Sequence, residues 1–137
     1  MPVEPRKLFD FEGRWRLARV IRPAQGPEGR FDGKALWQPV RGGMAYEERG
    51  VLRLDGQQEM QAERRYFWDA ALDVYFDDGR FFHTVPALGG AAHHWCAPDQ
   101  YDVTYDFSEW PAFRAVWRVK GPRKDYEMIS RYTRPEE

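Results

Sequence analysis

The chain has 137 residues, enough for one domain with a sizeable core, and 42% of them are hydrophobic, which excludes a disordered polypeptide. A net charge of −1 supplies no overall pull toward nucleic acid or an anionic membrane, and neither is an expected partner. A single cysteine, Cys96, excludes an internal disulfide and a Cys-only metal site.

The opening MPVEPRKLFDFEG has no apolar leader core, and no apolar run reaches membrane-spanning length, so a cytoplasmic protein is expected. Pro5 to Phe11 is apolar at helical spacing and predicts a short helical turn. Turn punctuation then recurs about every ten residues: Pro23 to Gly29, Arg41-Gly42-Gly43, Asp55-Gly56, Asp77-Asp78-Gly79, Leu88-Gly89-Gly90, Pro98-Asp99 and Gly121-Pro122. Between these points lie short aromatic and β-branched segments, many alternating at period two. They predict strands near 14–22, 30–38, 44–54, 59–68, 72–77, 80–86, 92–97, 100–107, 113–120 and 124–133. So many short strands favour one all-β domain over residues 1–137, a single closed antiparallel β-barrel of about 8–10 strands, because closure removes exposed edges.

The first strand opens Gly13-Arg14-Trp15, and the last ends Ser130-Arg131-Tyr132-Thr133-Arg134. A Gly-x-Trp at the start of strand one resembles the calycin and lipocalin signature. That resemblance implies that Trp15 plugs one barrel end and that Arg131 or Arg134 lies across it. A guanidinium over an indole face is favourable and would tie the terminal strands together. The chain also resembles a bacterial calycin-like family of unknown function, through Gly13 to Leu17, Ala62 to Trp68, His94 to Tyr105 and Gly121 to Tyr126.

If Trp15 faces inward, Leu17, Arg19 and Ile21 do too. Tyr46, Glu48, Gly50 and Leu52 share a face, as do Ala62, Arg64, Tyr66 and Trp68. Arg19, Glu48 and Arg64 then either point outward, form an internal structural pair, or anchor an acidic ligand group. Tyr101, Val103, Tyr105 and Phe107 alternate, as do Tyr126, Met128, Ser130 and Tyr132. A lumen lined by Trp37, Tyr46, Tyr66, Tyr101, Tyr105, Trp117 and Tyr126 is predicted, apolar in bulk and polar at points. Ala115, Trp117 and Val119 also read as ordinary core.

His94 and Cys96 share a strand face, and His83, assigned to the face of Phe81, could approach them. Imidazole and thiolate can bind metal or act as base and nucleophile, but one cysteine and no third ligand at a diagnostic spacing favour a wall, not a centre. No metal or cofactor is predicted. Lys120-Gly121-Pro122-Arg123-Lys124 reads as a solvated basic hairpin, or else as a clamp for an anion at the barrel mouth. Asp73, Asp77 and Asp78 read as turn residues.

Three functions fit. The first is a binder of a small, partly apolar, acidic molecule through Arg19, Trp37, Tyr46, Glu48, Arg64, Tyr66, His83, His94, Cys96, Tyr101, Tyr105, Trp117 and Tyr126. The second is an enzyme on the same barrel using His94, His83 or Tyr101 as acid or base. The third, by resemblance to nitrobindin-type barrels, is a haem protein with His83 or His94 as proximal ligand. A homodimer is left open.

Overall fold

A computed structural model describes residues 4–135. A 3-10 turn at Leu8–Phe11 leads into ten strands: β1 (Gly13–Pro23), β2 (Gly29–Val40), β3 (Gly43–Leu54), β4 (Met60–Asp69), β5 (Asp73–Phe76), β6 (Phe81–Thr84), β7 (Gly90–Cys96), β8 (Asp99–Asp106), β9 (Phe113–Lys120) and β10 (Asp125–Thr133). They form one antiparallel sheet in the order β6-β5-β4-β3-β2-β1-β10-β9-β8-β7. The sheet curls until β6 and β7 lie side by side, with no backbone ladder between them among the described residues. The all-β barrel expected from the sequence is therefore present and nearly closed.

Alternation works as read. Along β1, Trp15, Leu17 and Arg19 are buried while Arg14, Arg16 and Ala18 are exposed. The long strands β2 and β3 approach closely at Gly33 and Gly50, which are register partners. A Cβ on Gly33 would collide with the Arg49 carbonyl, and one on Gly50 with the Asp32 carbonyl. Only glycine lets the two backbones approach this closely, and such sites mark tight bends in curled sheets.

Two strands are shorter than their sequence patterns. β5 starts at Asp73 because the Asp69 carboxylate accepts the N–H groups of Ala71 (2.9 Å) and Asp73 (3.0 Å), and Leu72 takes a φ of 64°. This is an Asx-type turn. In β6 the ladder shifts: Tyr75 pairs with Phe81 and Val74 with His83, leaving Phe82 as an extra residue. The bulge resets the faces, so Phe81 is exposed while Phe82 and His83 are both buried. The assignment of His83 to Phe81's face is thus corrected.

One barrel end is filled by aromatic rings. Trp15 is 1% exposed, packs edge-on against Trp37 (5.9 Å) and Phe113 (5.1 Å), and donates its indole N–H to the Phe11 carbonyl at 2.8 Å. The Arg134 guanidinium lies 3.8 Å from the Trp15 ring centroid. It also donates to the carbonyls of Arg14 and Asp10, both at 3.1 Å. Of the two C-terminal arginines, the partner of Trp15 is Arg134, whereas Arg131 faces solvent.

Candidate functional site

Above the aromatic plug lies a cavity of about 300 Å³. That is the small end of the range for small-molecule sites. Ten predicted residues line it: Arg19, Tyr46, Glu48, Arg64, Tyr66, His83, Tyr101, Tyr105, Trp117 and Tyr126. Nine of them lie on the faces that period-two alternation turns inward, whereas His83 joins the wall only through the bulge at Phe82.

The inner part is a buried polar network. Arg19 donates Nη1 to Glu48 Oε2 at 2.6 Å, Nη2 to Oε1 at 3.1 Å, and Nε to Ser130 Oγ at 2.7 Å. The Tyr46 hydroxyl donates to Glu48 Oε1 at 2.7 Å and meets the Tyr132 hydroxyl at 2.9 Å. Burial alone would pull the Arg19 guanidinium down, but the charge and hydrogen bonds of Glu48 more than reverse this. Burial would likewise push the Glu48 carboxyl up, and Arg19 and Tyr46 hold it below its usual value instead. Burial, with the nearby Glu48 charge, pushes Tyr132 up to about 12. Arg19 and Glu48 are therefore the internal pair, one of the readings the sequence left open. With its fork occupied by Glu48 and its Nε by Ser130, Arg19 is not the group that would receive a ligand anion.

On one wall, His83 Nε2 and the Tyr105 hydroxyl share a hydrogen bond at 2.8 Å. Burial, helped by the charge of nearby His94, pulls the His83 imidazole down to about 3, and burial pushes the Tyr105 phenol up. At neutral pH this is a bond between two uncharged groups.

At the mouth the chemistry changes. Arg64, opposite Glu48 in the ladder, lines the cavity and makes no ion pair or hydrogen bond among the described residues. Lys124, from the β9–β10 turn, reaches across to β8, donating to the Tyr101 hydroxyl at 2.9 Å and lying 3.3 Å from Asp99 Oδ2. That hydrogen bond and the Asp99 carboxylate raise its ammonium above the ordinary lysine value. Lys124 thus lines the cavity at its mouth, while the hairpin that carries it, Pro122 to Lys124, is exposed. Tyr126, whose phenol burial pushes up, stands beside the two cations.

Three predicted residues stand apart. Trp37 is 1% exposed but lies in the plug, because its register partner is Gly13 at the closed end. His94 does face inward, yet Phe82 intervenes, edge-on to His94 at 5.3 Å and stacked on Trp117 at 5.0 Å. Cys96 shares the His94 face nearer the strand end, half-buried and outside the cavity. No cluster of three or more His, Cys, Asp or Glu able to hold a metal occurs among the described residues. Sequence reasoning missed Phe82, Val74 and Phe76. Phe82 faces inward only through the bulge, and β5 was too short to show alternation.

No helix among the described residues is long and apolar enough to cross a membrane. The homodimer left open by the sequence finds no support in the fold or in the similar proteins. The barrel is similar to the structure of the S-type phycobiliprotein lyase CPES from Guillardia theta, with a TM-score of 0.67 at 8% identity, covering 95% of this chain and 91% of that one. This likeness is one of fold. No curated protein matches the sequence. Residues 11–134 match the Family of unknown function (DUF6314), and the chain belongs to that family.

Proposed function

We propose that the protein binds a small, largely apolar, acidic organic molecule, with its ring system in the lumen and its anionic group at the mouth. The observation that carries this reading is the cavity itself: aromatic walls, a self-neutralised polar interior, and at the opening an Arg64 that pairs with none of the described residues. An anion entering ring-first leaves its charge beside Arg64 and Lys124, where it costs little desolvation. Fold likeness to a phycobiliprotein lyase is consistent with a lumen that receives an organic ligand.

The enzyme alternative rests on the His83–Tyr105 pair. An imidazole pulled down to about 3 is a poor base near neutrality, which favours binding over acid–base turnover. The haem alternative is weaker still, since Tyr105 engages His83 Nε2 and Phe82 separates His94 from the lumen.

The test is fluorescence titration with 1-anilinonaphthalene-8-sulfonate, followed by displacement with 2-naphthoate and neutral 2-naphthamide. Saturable one-to-one binding is expected, with naphthoate the better competitor and its advantage shrinking in Arg64→Ala. Absence of saturable binding, or equal competition by the amide, overturns the reading.

A further inference from the structure

Arg64 walls more than the cavity. A second hollow of about 570 Å³ lies outside it, between the β1–β2 turn at Pro23, Ala24 and Gln25 and the β9–β10 turn at Gly121 to Asp125. The two hollows share Arg64, Lys124, Tyr126 and Met128 as walls, so they adjoin at the barrel mouth. The outer chamber is nearly twice the inner one and of different chemistry. Its charged walls are Arg64, Arg123, Lys124 and Asp125, and they are not equally free. Asp125 is taken by Arg118 on the outer surface, and Lys124 by Asp99 and Tyr101. Arg64 and Arg123 make no ion pair among the described residues, which leaves the chamber with two uncompensated guanidiniums. Guanidinium forks suit carboxylate and phosphate.

We infer that this vestibule is a second subsite, and that the ligand is elongated: an apolar ring system in the lumen joined to an outer anionic tail held between Arg64 and Arg123. The inference rests on the lumen-binding reading and adds to it the length of the ligand and the place of its charge. A ligand that ended at the mouth would touch Arg64 and leave Arg123 without a role. One that spans both chambers uses each cation.

The test compares 2-naphthoate, 6-(2-naphthyl)hexanoate, 6-(2-naphthyl)hexyl phosphate and neutral 6-(2-naphthyl)hexan-1-ol as competitors of the same fluorescent sulfonate. Wild type, Arg123→Ala, Arg123→Lys and Arg123→Glu are compared; Arg123 is an exposed turn residue, so each variant should fold. Arg123→Ala should weaken the two long anions about three- to fivefold, the scale of one partly exposed ion pair. Arg123→Lys should recover part of this and Arg123→Glu should deepen it, while naphthoate and the alcohol stay unchanged. The phosphate-to-carboxylate ratio then names the tail chemistry. Equal loss for the alcohol, or no loss for the long anions, overturns the vestibule while the lumen reading stands. Failure of naphthoate itself to bind removes the lumen reading, and the vestibule falls with it.

Discussion

The Arg19 guanidinium and the Glu48 carboxylate meet fork to fork inside the barrel, Arg19 7% and Glu48 3% exposed, at 2.6 and 3.1 Å. They tie β1 to β3 across the intervening β2. Removing one partner strands the other charge in a low-dielectric interior. Glu48→Leu or Arg19→Met alone should therefore cost about 3–5 kcal/mol. The double change Arg19→Met with Glu48→Leu should recover much of that loss, since an apolar pair needs no desolvation. Urea unfolding of the four proteins checks this, and additive losses in the double variant would contradict it.

Trp15 and Arg134 form the other clasp, at the closed end. Trp15→Ala removes a fully buried ring and should cost about 3–5 kcal/mol. Arg134→Ala should cost about 1 kcal/mol from the lost cation–π contact. Arg131→Ala, on the solvent face of β10, should stay within about 0.5 kcal/mol. The ranking of the three denaturation midpoints is the measurement.

Acid should weaken the fold before most carboxylates titrate. His83 stays neutral in the folded protein down to about 3, whereas the unfolded chain takes up a proton near 6.5. The stability this contributes is complete above the unfolded value and is lost as pH falls from there toward the folded one. At about 1.4 kcal/mol per pH unit, up to about 2 kcal/mol should disappear between pH 6.5 and 5. Its neighbours are Tyr105 on β8, Trp117 on β9 and His94 on β7; burial lowers His94 too, so that residue adds a loss of the same sign. His83→Gln should flatten the decline in urea midpoint across this window more than His94→Gln does. The lowered Glu48 carboxyl adds its own loss below its unfolded value of 4.5.

Cys96 and His94 should matter little to binding. Cys96→Ser and His94→Ala are expected to change affinity for the fluorescent sulfonate by no more than about twofold, the scale of substitutions away from a site. Trp117→Ala, which removes a wall of the cavity, should abolish most of the signal. A large effect of His94→Ala would mean that Phe82 swings aside in the bound protein.

Period-two alternation tells which face a residue takes, and for β1, β3, β8 and β10 that was enough to assemble the lumen wall. It does not tell depth along the barrel axis. Trp37 was assigned to the correct face and the wrong chamber for that reason, since only the register with Gly13 reveals its height. It is also blind to a single extra residue. The Phe82 bulge turns His83 inward and places a phenyl ring in front of His94, and no local pattern in Phe81-Phe82-His83-Thr84 marks it. For Lys124 the sequence left a solvated hairpin and a clamp at the mouth both open, because its partners Tyr101 and Asp99 lie outside the hairpin, on β8.

The unladdered seam lies between β6 and β7, in mid-chain, whereas the strands nearest the two termini are zipped together from Arg16↔Thr133 to Pro23↔Tyr126. Read around the barrel from β7, every ladder but one joins strands consecutive in sequence; the exception, β1 with β10, joins opposite ends of the chain. Closing that ladder demands the largest loop of the whole fold, and it should form late. A circular permutant opened near the exposed Leu88, with its old ends joined by a short linker, would convert the barrel into an uninterrupted meander. The slow ring closure would become an ordinary hairpin, and refolding should accelerate with little change in the finished structure.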